Sequence, residues 1–68
     1  MVYTDEKFGN QVRKIRKTHN ISQEKLAYLA DIDRSHMGHI ERGTTSPTLK
    51  MINKIATVLK VSPKDLME

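Results

Sequence analysis

Apolar residues recur along this chain at intervals of three and four, and no segment sustains the every-second-residue alternation of a half-buried strand. Phe8, Val12 and Ile15 form one stripe on a first helix running from Asp5 to about His19. Thr4 stands where an N-cap belongs, Asp5 and Glu6 suit the positive helix start, and Lys14, Lys17 and His19 suit the negative end. Asn20 tolerates the left-handed conformation that ends a helix. A second helix follows Ser22 and ends near Ala30, with Leu26, Ala27, Leu29 and Ala30 as its buried face. Asp31, Ile32 and Asp33 make a tight connection in which Ile32 plugs the core and Asp33 caps the third helix, Arg34 to about Arg42. Met37 and Ile40 anchor that helix and Gly43 closes it. After a polar loop at residues 44–47, Thr48 caps a fourth helix from Leu49 to Leu59, and Ser62-Pro63-Lys64-Asp65 opens a last short turn. Gly and Pro are read as punctuation between these elements. The expectation is an all-α, compact bundle of five short helices.

Helix four carries more apolar surface than a helix on a small bundle needs. Leu49, Ile52, Ala56 and Leu59 make one core stripe, and Met51, Ile55 and Val58 widen it to about half the circumference at 100° per residue. Either the last turn covers the excess with Leu66 and Met67, or a second subunit does. The candidate dimer interface is therefore Met51, Ile55, Val58, Leu66 and Met67.

With 68 residues the chain is read as one domain, 1–68, with a small core. It has no cysteine, so no disulfide or thiolate site staples it. No apolar run approaches the roughly 18 residues of a membrane span, and the polar start MVYTDEKF is unlike a secretory signal, so a cytoplasmic location is expected. Twelve Lys and Arg against eight Asp and Glu give a formal charge of +4, which suits a polyanionic partner as well as it suits a merely soluble surface. Scarce aromatics (Tyr3, Phe8, Tyr28) argue against stacking on single strands. No nucleophile–base set, glycine-rich phosphate loop or metal motif is present, so neither an enzyme, a cofactor nor a small-molecule ligand is expected. His36 and His39 share a helix face, but no third ligand stands at useful spacing.

Helices two and three occupy about 20 residues around a three-residue connection, the layout of a helix-turn-helix. With Met37 and Ile40 turned inward, the opposite face of helix three presents Arg34, Ser35, Gly38, His39 and Arg42. Helix three of such a motif offers that face to the major groove of a duplex.

The stretch SQEKLAYLADIDRSHMGHIERGTTSPTL, from Ser22 to Leu49, resembles the core of the Xre family of phage-repressor and Cro-like domains. SQ-x-x-LA in Ser22–Ala27, IERG in Ile40–Gly43 and the SPTL that follows carry the likeness. Asp31 and Lys60 depart from it, standing where the family often has Gly. The resemblance implies a lambda-repressor-like fold and a sequence-specific, double-stranded-DNA-binding transcriptional regulator acting as a homodimer. A controller of a restriction–modification system or a small phage or mobile-element repressor fits the pattern, and a protein-interaction module or antitoxin-type component on the same fold is the alternative. Base contacts are implied for Arg34, Ser35 and His39, with Gly38 allowing close approach and His36 reaching a flanking base or phosphate. An Arg bonded bidentately to guanine gives about 1–3 kcal/mol of discrimination. Phosphate contacts are implied for Gln23, Ser22, Arg42, Thr44, Thr45 and Ser46. Arg16 and Glu41 are implied to form a structural ion pair.

Overall fold

The computed structural model describes residues 4–67. Five helices follow in order: α1 (Asp5–Thr18), α2 (Gln23–Leu29), α3 (Arg34–Arg42), α4 (Leu49–Leu59) and α5 (Pro63–Met67), and the described residues include no strand. The start of each of the first four is set by one side chain. Thr4, Ser22 and Thr48 accept the amide N–H three residues on, and Asp33 accepts those of Ser35 and His36. Each bond satisfies a helix donor that has no partner within the helix. At α5 the roles reverse, and the Asp65 carboxylate reaches back to accept the Ser62 amide N–H at 3.1 Å.

The first four helices end alike. Asn20, Asp31, Gly43 and Lys60 all adopt left-handed backbone, with φ between 55° and 75°. At each corner the amide of the left-handed residue bonds the carbonyl three positions back, and the next amide bonds the carbonyl five back, as in Thr44 N to His39 O at 3.0 Å. This is the Schellman arrangement. In three corners the following residue is apolar (Ile21, Ile32, Val61) and turns back onto the core. Gly43 has a second reason to be glycine, because a Cβ there would lie 2.7 Å from the Cα of Glu6.

A side chain in the left-handed region strains the backbone by about 1–2 kcal/mol, more than the extra chain entropy a glycine loses. Lys60 is exposed and makes no side-chain hydrogen bond or ion pair among the described residues. Lys60→Gly is therefore expected to stabilise the fold by about 1 kcal/mol, raising the melting temperature by roughly 4–8 °C. A thermal melt with an unchanged or lower midpoint would show that the corner stores no strain.

The core is built from Phe8, Val12, Leu26, Ala27, Ala30, Ile32, Met37, Ile40, Ile52, Ile55, Ala56, Leu59 and Leu66, all buried. α1 packs against every other helix, and α5 closes the bundle against α1 and α4. Four expectations need correction. Leu29 is 47% exposed and Leu49 is 74% exposed, because each sits at a helix end, off the face that meets a neighbour. Ile55 and Leu66 are fully buried within the chain, so neither has surface to offer a second subunit. α5 covers much of the α4 excess, leaving Met51 and Val58 half-buried and Met67 exposed.

Glycine is also more than punctuation here. Gly9 lies inside α1 and Gly38 inside α3, and both are buried. At Gly9 the backbones of α1 and α3 meet so closely that a Cβ would lie 2.5 Å from the Glu41 carbonyl oxygen. That approach brings Arg16, two turns further along the same side of α1, level with Glu41.

Candidate nucleic-acid interface

Helix α3 is held from below and open above. Met37, Ile40 and Glu41 face inward, Gly38 is buried beneath the Arg42 and Gln23 side chains, and Arg34, Ser35, His39 and Arg42 are exposed. A shallow groove runs between the start of α2 and this open face, lined by Gln23, Arg34, Ser35, Gly38 and Arg42. Gly38 is its floor. The Arg42 guanidinium and the Gln23 amide lie over it, 3.2 and 3.6 Å from where a Cβ would stand.

A chain of polar bonds ties this groove to the core. Arg16 donates to both carboxylate oxygens of Glu41, from Nε at 2.8 Å and Nη2 at 3.0 Å, and Nη1 donates to the Ile21 carbonyl at 3.0 Å. Both charged groups are buried, Glu41 at 2% exposure. Gln23 Nε2 donates to Glu41 Oε1 at 3.3 Å. The Gln23 side chain is thus fixed at the groove edge by a carboxylate that is itself fixed by a cation from α1.

The outward residues carry their own contacts. Arg34 Nη1 lies 3.1 Å from Glu24 Oε2, with both side chains about seven-tenths exposed. Exposed pairs of this kind contribute little stability, about 0–1 kcal/mol, so a stronger acceptor can take the guanidinium away. His39 Nδ1 lies 2.9 Å from Thr44 Oγ1 and 3.5 Å from Arg42 Nη2. Ser22 uses its oxygen to cap α2, accepting the Lys25 amide at 3.0 Å, which leaves its hydroxyl proton free to donate. Thr45 is half-buried in the loop beyond α3.

Neither Ser46 nor His36 lines the groove. Ser46 donates its hydroxyl proton to Asp5 Oδ2 at 2.6 Å. His36 is half-buried, and its Nε2 is enclosed with no hydrogen-bond partner among the described residues. Of the remaining nine expected contact residues, Ser22, Gln23, Arg34, Ser35, Gly38, His39, Arg42 and Thr44 lie along the start of α2 and the outer side and end of α3, and Thr45 sits in the loop beyond. Glu24 belongs with them through Arg34, and no local pattern in the sequence announces it. Among the described residues no group of three or more His, Asp or Glu is placed to hold a metal ion, and no helix is long and apolar enough to cross a membrane.

Comparison with known proteins agrees with this architecture. The helix-turn-helix family model matches residues 12–66. The chain belongs to the helix-turn-helix family. This helix-turn-helix protein is 48% identical to the control protein C.BamHI of Bacillus amyloliquefaciens over 62 residues, covering 90% of this chain and 76% of that one. It also resembles the crystal structure of the restriction-modification controller protein C.AhdI from Aeromonas hydrophila, with a TM-score of 0.88 and 42% identity over 91% of this chain and 94% of the other. The wild-type restriction-modification controller protein C.Esp1396I is a more distant likeness, at a TM-score of 0.84 and 30% identity over 97% and 86% of the two chains. The all-α bundle with its motif at α2 and α3 is therefore the fold of this family.

Proposed function

We propose that this helix-turn-helix protein is a sequence-specific, double-stranded-DNA-binding transcriptional regulator of the controller type, working as a pair of protomers on a twofold site. The observation that carries the proposal is the open face of α3: four exposed side chains rich in donors, seated on a buried, ion-paired underside. An interaction module would place apolar groups there. Arg34 and Ser35 are suited to base edges in the major groove, and His39 stands one turn further on. Gln23, Ser22 and Arg42 flank them and are suited to phosphates, with the Gln23 carboxamide and the Arg42 guanidinium at the groove edge. The net charge of +4 adds a salt-dependent attraction to any duplex. Pairing of protomers is assigned to the α4/α5 side, where Met51, Val58 and Met67 keep apolar surface after the chain has folded.

Selection of bound sites from a random duplex pool tests the proposal. The expected product is an inverted repeat whose half-sites lie about one duplex turn apart. Arg34→Ala is expected to flatten the preference at one position in each half-site, a loss of about 1–3 kcal/mol of discrimination, with the melting temperature unchanged. Recovery of single, unpaired half-sites would refute the twofold arrangement. An unaltered profile for Arg34→Ala would remove that residue from base recognition, and no enrichment at all would overturn the regulator assignment.

A further inference from the structure

The contacts around His39 decide which of its ring nitrogens carries the proton, and so which base atoms it can meet. This inference rests on the DNA-binding function proposed above. Arg42 Nη2 lies 3.5 Å from His39 Nδ1, and a guanidinium can only donate. Thr44 Oγ1 lies 2.9 Å from the same nitrogen and 3.2 Å from the His39 carbonyl oxygen. The hydroxyl has one proton for the two. The carbonyl already receives the Thr44 amide N–H at 3.0 Å, as part of the corner that ends α3. The Gly43 amide N–H also bonds that carbonyl, so both of its lone pairs are taken and the hydroxyl proton is left for the nearer ring nitrogen. Two donors therefore converge on Nδ1, and a proton there would face both of them.

We infer that His39 is a specificity-determining residue held by Arg42 and Thr44 as the Nε2–H tautomer, so that the neutral ring offers the duplex one N–H donor and no acceptor. In the major groove such a group bonds guanine O6 or N7, adenine N7 or thymine O4, and it cannot receive the amine protons of cytosine N4 or adenine N6. Thr44 and Arg42 act through the ring, as positioning residues. The same corner explains why Thr44 is polar where Ile21, Ile32 and Val61 occupy the equivalent place in the other three.

Two measurements test this, and the first needs no DNA. Nitrogen-15 spectra of the His39 ring in the free protein are expected to show a protonated Nε2 and a bare Nδ1 in the neutral form, with the population moving toward the other tautomer in Thr44→Val. A dominant Nδ1–H ring in the parent protein overturns the inference whatever the protein binds. The second uses the selected duplex, with base analogues at the position whose preference His39→Ala loses. Deleting one major-groove acceptor there, as with a 7-deazapurine for N7, or weakening it, as with 4-thiothymine for O4, is expected to weaken the parent protein about 2–10-fold, the worth of one hydrogen bond, and to leave His39→Ala unaffected. Thr44→Val is expected to lose the same selectivity while keeping its salt dependence. Should affinity respond only to loss of an amine donor, the inference fails although the protein still binds DNA. Should no duplex be selected, the DNA-binding proposal fails, and the ring spectra still decide the tautomer.

Discussion

Arg16→Met is expected to leave little folded protein at physiological temperature. Glu41 is enclosed, and its carboxylate receives two of its three side-chain donors from Arg16. Methionine keeps most of the stem volume and removes the cation, leaving a buried negative charge with only the Gln23 amide. Breaking a buried pair from one side is destabilising by about 3–5 kcal/mol. A core in a domain of this size supplies about that much net stability in all. Thermal melting followed by circular dichroism checks the result. Adding Glu41→Met to the same chain removes the stranded charge, and the double variant is expected to recover most of the lost stability. Recovery stays incomplete, because the Ile21 carbonyl and the Gln23 amide lose their partners. A single variant that melts like the parent would mean that solvent already reaches the pair and that it does not organise the fold.

Gly9→Ala is the second large effect, and it acts through space rather than charge. The added methyl would lie 2.5 Å from the Glu41 carbonyl oxygen and 2.6 Å from that of Ile40. Both are backbone atoms of α3, so only separation of α1 from α3 relieves the clash. Alanine returns about 1 kcal/mol of helix preference. Overpacking opposes it by about 1–3 kcal/mol, and more where backbone must move. A net loss of about 2 kcal/mol is expected, together with weaker DNA binding, because the shift pulls Glu41 away from Arg16 and Gln23. Gly38→Ala is the control. Its methyl meets only the ends of the Arg42 and Gln23 side chains, which can swing aside, so its melting temperature should match or exceed that of the parent. Equal melting temperatures for the Gly9 and Gly38 variants would contradict the close approach of α1 and α3.

Much of this molecule is legible in the sequence, because much of it is local. Thr4, Ser22, Asp33 and Thr48 act within three residues of themselves, and each caps the helix its position suggests. Asn20 and Gly43 mark helix ends for the same reason. Features that depend on two helices meeting are another matter. Leu29 and Leu49 have the right spacing for a buried stripe, yet no neighbour reaches the ends where they sit. Gly9 looks like an interruption until α3 is laid across it. Glu24 and Arg34 are ten residues apart on different helices, and only the corner at Asp31 brings their charges together. Ser46 looks like a free hydroxyl because Asp5, its partner, lies at the far end of the sequence segment. Ile55 and Leu66 look available to a second subunit because periodicity counts apolar residues without showing what already covers them.

The four repeated corners leave the helix-turn-helix little internal freedom. Each turn is closed by two backbone bonds, so the angle between α2 and α3 is fixed in the main chain as well as by packing. A stiff protein surrenders little conformational entropy on docking. It also cannot deform to follow an irregular groove, so mechanical accommodation falls on the DNA. Base steps that no side chain touches then tune affinity through the elastic energy of bending and twisting them.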